Sequence, residues 1–195
     1  PRARVAKYAP PVKHGLKKLL IHIHQLTPTW RLHSIVKTLT TLRDQKGKSN
    51  GKFNQSKSNV TSGGLGTMGF ALPAAIGAKM GAMDREVVAV IGDGGYQMTI
   101  QELGTIFQQQ VAVKIVVLNN DFLGMVRQWQ QLFFDKRYAS TEMVNPDFVT
   151  IAKGFQIQAK RVDERKDLDQ AVKEMMASDK PYFLEVCVEK EDNVF

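Results

Sequence analysis

Two nearly continuous hydrophobic runs dominate the chain, and each ends in small or polar residues. Glu86–Ile91 (EVVAVI) is followed by Gly92-Asp93-Gly94-Gly95, and Val111–Leu118 (VAVKIVVL) is followed by Asn119-Asn120. Short runs that are apolar on both faces are typical of strands buried inside a parallel sheet. Ligands bind where the carboxyl ends of such strands meet. We therefore expect Asp93 and Asn120 to lie together, although 27 residues separate them.

Helical and extended patterns alternate around these two runs, which favours an α/β fold: a doubly wound parallel sheet with flanking helices. Thr99 and Glu102 have the spacing of a capping box, and Asn145-Pro146 has the pattern of a helix start. The predicted helices cover Met68–Met80, Thr99 to about Gln109, Gly124–Phe134, Asn145 to about Gly154, and Leu168–Ala177. Further strands are predicted over Gln156–Val162 and Tyr182–Val188.

Charge divides the chain into two parts. Residues 1–58 carry 13 Lys and Arg against one acid, Asp44, whereas residues 59–195 carry 14 against 18 acids. We predict a basic arm and linker over 1–58, either disordered or weakly helical (about Val12–Leu26 and His33–Arg43), before a domain over 59–195. An arm of net charge +12 leaves open a nucleic-acid-binding protein. A solvated tail is favoured, because no nucleic-acid motif accompanies the charge.

Composition excludes some classes of protein. The chain has 195 residues, 43% of them hydrophobic, which suits one globular domain with a core. It contains no apolar run of the roughly 18–20 residues that cross a bilayer, and no secretory signal pattern. The single cysteine, Cys187, is expected to be buried and inert, and a cytoplasmic location is expected. The four histidines lack partnering Cys or acidic clusters, so no metal site is expected there.

Asp93 and Asn120 offer a carboxylate and an amide oxygen, with a backbone carbonyl in the loop after Asn120 as a natural third ligand. Mg²⁺ prefers such oxygens and combines them with phosphates, while glycines and a helix N-terminus let phosphate approach the backbone. The alternative is that each residue only forms a turn or cap. The G-x-G-x-x-G match Gly64–Gly69 is interpreted as a glycine turn rather than a dinucleotide site, because Asn59–Ser62 makes a poor strand.

Three segments together resemble a known family: TSGGLGTMGFALPAAIGAKMG, GDGGYQMTIQELGTI and VLNNDFLGMVRQWQQLFF. They look like the C-terminal, thiamine-diphosphate-binding domain of acetolactate synthase (acetohydroxyacid synthase) catalytic large subunits, over roughly residues 52–195. The resemblance implies the thiamine-diphosphate-binding fold, with thiamine diphosphate and Mg²⁺ as cofactors. In the parent enzyme FAD lies mainly on another domain. The implied reaction decarboxylates pyruvate and condenses the product with pyruvate or 2-ketobutyrate, in branched-chain amino acid biosynthesis. Another thiamine-diphosphate-dependent 2-keto acid decarboxylase or oxidase is the alternative enzyme.

The resemblance also implies roles for individual residues. Mg²⁺ would be held by Asp93, Asn120 and the carbonyl of Phe122. Met125 would support the bent cofactor, and Trp129 would border the site of the second keto acid, which makes these two the catalytic candidates. The implied cofactor-binding residues are Gly66, Met68, Asp93, Gly94, Gly95, Met98, Asn120, Phe122, Leu123, Gly124, Met125 and Val126.

The implied partners are pyruvate and 2-ketobutyrate, a second subunit in a homodimer, and a regulatory small subunit, with no membrane and no nucleic acid. Three departures from the family stand out. The activating glutamate comes from a domain that this chain lacks, so we expect the chain alone to be inactive. The stretch KGKSNGK replaces a Gln-His loop beside the cofactor, and the chain ends before the family's C-terminal tail. Residues 1–51 do not resemble the family, and we hypothesise a shifted reading frame or a fusion there.

Overall fold

The fold is a single six-stranded parallel sheet with helices packed against it. The computed structural model describes residues 32–37 and 59–189. The strands are β1 (Leu32–Lys37), β2 (Asn59–Thr61), β3 (Glu86–Gly92), β4 (Lys114–Asn119), β5 (Gln158–Val162) and β6 (Tyr182–Cys187). Their spatial order is β2-β1-β3-β4-β6-β5, and every pair is parallel. The predicted doubly wound α/β sheet is thereby confirmed.

Six α-helices connect or flank these strands in the described part of the chain. They are α1 (Ala71–Gly81), α2 (Asp93–Gln97), α3 (Glu102–Gln109), α4 (Gly124–Phe133), α5 (Phe148–Gly154) and α6 (Arg165–Ala177). A 3₁₀ turn, Gly63–Leu65, precedes α1. No helix of the described residues is long and apolar enough to span a bilayer.

Both faces of the central strands are buried, which is why their sequences are apolar without alternation. In β3, Val87, Ala89 and Ile91 pack in a cluster with residues of α1, α3 and α5. The intervening Val88 and Val90 pack on the opposite face, in a second cluster that includes residues of α6. All six residues of β4 are buried in the same two-sided way. The carboxyl ends of β3 and β4 are therefore fixed side by side.

The helix predicted over His33–Arg43 is wrong where the structure describes it. Residues 32–37 form β1, which lies between β2 and β3, with Val36 aligned to Val60 on one side and to Ala89 on the other. The adjacent β-branched residues Ile35 and Val36 favour a strand, and pairing with β2 and β3 provides backbone hydrogen-bond partners on both sides. The other predictions for residues 1–58, including the remaining helix and the linker, lie outside the described residues.

Three local predictions are also corrected. Asn59–Thr61 does form a short strand, so the glycine turn follows extended chain after all. The helix α3 has no side-chain cap, because α2 begins directly at Asp93 and places Thr99 where its hydroxyl donates to the carbonyl of Gly69 (3.1 Å). Asp147, not Asn145, caps α5 by accepting from the amide of Thr150 (2.9 Å).

Candidate functional site

Asp93 occupies the first position of α2, directly at the carboxyl end of β3, and only 2% of its surface is exposed. One carboxylate oxygen, Oδ1, accepts from the backbone amide of Gly94 (3.0 Å). The other, Oδ2, accepts from the backbone amide of Asp121 (3.0 Å) and from the side-chain amide of Asn145 (2.8 Å). The end of β3 is thereby tied to the loop that leaves β4.

That loop turns tightly at Asn120 and Asp121. The side-chain oxygen of Asn120 accepts from the amide of Phe122 (3.2 Å), which is the hydrogen bond of an Asx turn. Asp121 has a left-handed backbone (φ 56°), a conformation that aspartate tolerates better than most residues. The turn keeps Asp121 against Asp93, with Asn120 and Phe122 as its neighbours in the chain.

A second chain segment, Thr141 to Met143, pairs with this loop through backbone hydrogen bonds. Leu123 donates its amide to the carbonyl of Thr141 (2.8 Å), and Met143 donates to the carbonyl of Asp121 (2.8 Å). Phe122 and Glu142 form an isolated antiparallel bridge. The segment from Thr141 leads to Asn145, whose side chain contacts Asp93. Sequence reasoning assigned Asn145 to a helix cap and missed this contact.

Behind the loop, the buried Asn119 joins the site to the far edge of the sheet. Its side-chain amide donates to Oε1 of Glu185 (2.8 Å), an oxygen that also accepts from Arg161 (3.2 Å). Its side-chain oxygen accepts from the amide of Asp121 (3.1 Å). Neither Asn119 nor Glu185 was predicted as a site residue. A buried carboxylate inside an apolar strand, Tyr182–Cys187, is the sequence signal that could have pointed to them.

Apolar side chains surround the position that a side chain on Gly94 would occupy. A β-carbon placed on Gly94 would lie 2.7 Å from Cδ2 of Leu123 and 3.4 Å from both Cε of Met68 and Sδ of Met143. The structure therefore brings together Gly94, Leu123 and Met68, three of the predicted cofactor-binding residues. Since a β-carbon essentially never lies within 3.0 Å of another heavy atom, the position accepts glycine alone without a shift.

The glycine turn before α1 lies against α2. A β-carbon on Gly95 would be 3.8 Å from the amide nitrogen of Gly69, and one on Gly69 would be 3.3 Å from Cβ of Met98. Gly66 ends the 3₁₀ turn with a left-handed backbone (φ 56°). Met98 is 56% exposed at the end of α2. Gly95 and Met98 are thus next to the turn, whereas no contact of Gly66 with the residues around Asp93 is seen in the described structure.

The helix α4 starts at Gly124, immediately after the loop. Met125 is half-buried, while Val126 and Trp129 are 44% and 59% exposed. Arg127 is buried between the rings of Phe122 and Tyr138, with its guanidinium carbon 4.6 and 4.5 Å from their centroids. This stacking anchors Phe122. The catalytic candidates Met125 and Trp129 share the first turns of a helix whose outer side is open.

The electrostatics of the site are those of a buried carboxylate. Burial raises the pKa of Asp93 from its ordinary 3.8 to about 6, against the hydrogen bonds from Asn145, Gly94 and Asp121, which lower it. Burial also raises the pKa of Glu185, opposed by the hydrogen bond from Asn119 and the charge of Arg161. A cation bound beside Asp93 would favour the ionised form. No group of three or more His, Cys, Asp or Glu among the described residues could hold a metal by itself, so such a cation would need amide and carbonyl oxygens as well.

The donor set fits a hard divalent cation. Asp93, Asn120 and the backbone carbonyl of Phe122 are oxygen donors on one short loop and the adjoining strand end, and Mg²⁺ takes such donors with phosphate oxygens. Asp93 is followed in α2 by the buried glycines Gly94 and Gly95, whose missing side chains leave backbone amides approachable. The residues present therefore fit a metal-bound diphosphate.

Cys187 departs from the prediction in one respect. It is half-buried at the end of β6 rather than fully buried. Burial and a hydrogen bond with Asp163 raise the pKa of its thiol well above the ordinary value. A thiol with a raised pKa carries little reactive thiolate, so an inert role agrees with its setting.

Comparison with known proteins places these features in a family. The family described as "Thiamine pyrophosphate enzyme, C-terminal TPP binding domain" matches residues 46–186, starting a few residues earlier than the resemblance seen in the sequence. Acetolactate synthase isozyme 2 large subunit of Escherichia coli is 47% identical over 137 residues, which is 70% of this chain and 25% of that protein. The mitochondrial acetolactate synthase of Schizosaccharomyces pombe is 46% identical over 144 residues, 74% of this chain and 22% of that protein.

The chain thus spans about a quarter of the length of the curated relatives it matches. Among solved structures, a thiamine diphosphate-dependent 4-hydroxybenzoylformate decarboxylase of Rhodococcus jostii superposes with a TM-score of 0.79. That alignment covers 96% of this chain and 36% of the decarboxylase at 24% identity, a likeness that concerns the fold.

Proposed function

The chain belongs to the thiamine pyrophosphate enzyme family through its C-terminal TPP-binding domain, and on that premise we propose that it binds the Mg²⁺–diphosphate end of thiamine diphosphate in an acetolactate synthase large subunit. The parent enzyme would condense pyruvate, after decarboxylation, with pyruvate or 2-ketobutyrate. This activity would serve the biosynthesis of valine, leucine and isoleucine.

The observation that carries the proposal is the setting of Asp93. A carboxylate that is 2% exposed, at the shared carboxyl edge of two buried strands, is held by donors from two other segments. Keeping a carboxylate so far from water is costly unless a cation or several hydrogen bonds compensate. A divalent cation at this edge would supply that compensation and would bind the negative diphosphate.

Different residues of the chain would bind the metal, the diphosphate and the rest of the cofactor. Asp93, Asn120 and the Phe122 carbonyl would hold Mg²⁺, and Gly94 and Gly95 would let the diphosphate approach the start of α2. Gly66, Met68 and Met98 would line the aminopyrimidine side. Leu123, Gly124, Met125 and Val126 would line the same pocket. Thiamine diphosphate, when bound, supplies the electron sink for breaking and forming carbon–carbon bonds. Met125 would help to orient the bound cofactor.

The second substrate would meet the exposed side of α4. Trp129 is 59% exposed and lies edge-on to Phe133, with ring centroids 6.4 Å apart. An apolar rim of this kind suits the alkyl group of 2-ketobutyrate better than that of pyruvate, because it removes one more methylene from water. Trp129 would thus bias the choice of the second keto acid.

The wider assembly is proposed on the same family grounds. FAD would bind mainly elsewhere in the parent enzyme, which would be a homodimer with a regulatory small subunit. Exposed apolar side chains on α4 and just after it (Leu132, Phe133 and Phe134) support a covering protein surface there. A single cysteine suits a reducing compartment such as the cytoplasm.

A chimera tests the activity. Residues 59–189 of this chain would replace the matching segment of the Escherichia coli relative, and the products formed from pyruvate, with and without 2-ketobutyrate, would be identified. We expect 2-acetolactate, and 2-aceto-2-hydroxybutyrate when both keto acids are present. A folded chimera that binds the cofactors and releases acetaldehyde alone would overturn the acetolactate assignment and favour a simple decarboxylase.

A further inference from the structure

We propose that Asn145 is a positioning residue for the metal site: it orients the Asp93 carboxylate and fixes the Asn119–Asp121 turn for Mg²⁺. The inference rests on the proposed function, because it assumes that Asp93 receives the metal. It assigns a role to a residue for which the sequence indicated only a helix start.

The side-chain amide of Asn145 contacts four residues. Its nitrogen lies 2.8 Å from Oδ2 of Asp93, 2.8 Å from Oδ1 of Asn119 and 3.2 Å from Oδ1 of Asp121. Its oxygen accepts from Nε2 of Gln97 (2.7 Å). An ionised carboxylate only accepts hydrogen bonds, so the nitrogen must face Asp93, and the contact with Gln97 holds the amide in that orientation.

The hydrogen bonds of Asp93 are distributed unevenly between its oxygens. Asn145 and the amide of Asp121 both donate to Oδ2, whereas Oδ1 accepts only from Gly94 among the hydrogen bonds seen here. A carboxylate has about four lone-pair directions. Two donors on Oδ2 therefore hold the group in one rotamer and leave Oδ1 with capacity for a cation.

Asn145 is itself held in place by backbone pairing. The segment before it runs against the metal-site loop through Leu123 to Thr141 and Met143 to Asp121, both at 2.8 Å. The half-buried Asn145 thus joins three elements, the β3–α2 junction, the β4–α4 loop and the segment leading to α5. Hydrogen bonds that orient metal ligands typically change metal affinity by about 10–100-fold when they are removed.

The test measures how strongly the affinity of the chain for thiamine diphosphate depends on Mg²⁺. Calorimetric titrations of thiamine diphosphate, with and without saturating Mg²⁺, would be made on the full chain and on Asn145→Ala. We expect Asn145→Ala to lose about 10–100-fold of the affinity measured with Mg²⁺. Its metal-free affinity should stay unchanged, because a misoriented Asp93 affects the metal alone.

The matched control is Asp147→Ala, two residues further along. Asp147 caps α5 through Thr150 and contacts none of the metal-site residues in the described structure. We expect it to lower the unfolding midpoint without changing the Mg²⁺ dependence of binding. A second variant, Gln97→Met, removes the partner that holds the amide of Asn145 and should give a smaller loss of the same kind, which keeps the test informative if Asn145→Ala folds poorly.

The outcomes separate the two proposals. If the unaltered chain binds thiamine diphosphate equally well with and without Mg²⁺, the proposed function fails and this inference with it. If the unaltered chain shows the metal dependence, and folded Asn145→Ala or Gln97→Met retains it in full, the positioning role alone is overturned. An equal loss in Asp147→Ala would also overturn it, because the effect would then be one of stability.

Discussion

Gly94 is the most closely packed of the glycines in the candidate site. Its neighbours Leu123, Met68 and Met143 come from three other loops and fill the space that a side chain would occupy. The absence of a side chain at Gly94 would also let a diphosphate lie along the backbone at the start of α2. Side-chain packing and the proposed ligand therefore both favour glycine at this position.

We predict that Gly94→Ala destabilises the chain by about 1 kcal/mol, at the low end of the cost of overpacking, because the atom in its way is the movable terminal methyl of Leu123, and that it weakens thiamine diphosphate binding. Urea unfolding and calorimetry would measure the two effects. Gly77→Ala in α1 is the matched control, because its β-carbon would meet nothing within 4 Å. That change should stabilise the chain by about 0.5–1 kcal/mol, since alanine favours a helix over glycine. Equal stability of the two variants would contradict the packing account.

The protonation of Asp93 gives a second prediction, for the metal-free chain. Its folded-state pKa is raised to about 6 from 3.8, so the folded state binds the proton more tightly than the unfolded state. Its contribution to stability is complete below about pH 3.8 and is lost as pH rises through about 6. This difference in pKa between the unfolded and folded states corresponds to about 3 kcal/mol of unfolding free energy.

Urea unfolding of metal-free protein across pH 4 to 7 would measure this loss. Asp93→Asn removes the titrating group and keeps the shape. Between pH 4 and 7 its free energy of unfolding should therefore change by about 2 kcal/mol less than that of the unaltered chain. Parallel profiles for the two proteins would show that Asp93 does not carry the raised pKa.

At the scale of elements, β1 is the feature that sequence patterns misjudged. Leu32–Lys37 lies in a segment whose charge suggested an arm, yet it pairs with β2 and β3. Each residue of an interior strand needs backbone partners on both sides, and the pairing partners of β1 are far away in sequence. Local propensity therefore could not decide between a weak helix and a strand.

We predict that Val36→Pro destabilises the chain strongly, because proline removes a ladder hydrogen bond and is excluded from interior strands. His33→Pro is the control, since the register between β1 and β3 shifts between Leu32 and Ser34 and leaves His33 without an aligned partner on β3. Thermal unfolding would compare them. If both variants unfold at the midpoint of the unaltered chain, β1 does not belong to the sheet.

The apolar strands could be predicted because burial on both faces leaves a local trace. Glu86–Ile91 was predicted and β3 covers Glu86–Gly92, while α4 ends within one residue of its prediction. The caps could not be predicted as well. Thr99 and Glu102 have capping-box spacing, but the chain turns into α2 already at Asp93, and the hydroxyl of Thr99 binds Gly69 instead. The geometry of the preceding turn decided the cap.

At the scale of the whole molecule, the sheet order places β3 and β4 in the interior with their carboxyl ends adjacent. This arrangement follows from two apolar runs, so the contact of Asp93 with the loop that follows Asn119–Asn120 was predictable. The roles of Asn145 and Glu185 were not, because their site contacts join residues 24 to 66 positions apart. The candidate binding residues could be proposed from the sequence, whereas the residues that contact and position them could be identified only from the fold.

The most direct test of the account is calorimetric titration of thiamine diphosphate, with and without Mg²⁺, on the unaltered chain and on Asp93→Asn. The account predicts that Mg²⁺ strengthens binding to the unaltered chain, and that the Asn variant binds the cofactor weakly and without regard to the metal. Binding of equal strength in all four titrations would contradict a metal-bridged diphosphate at the ends of β3 and β4.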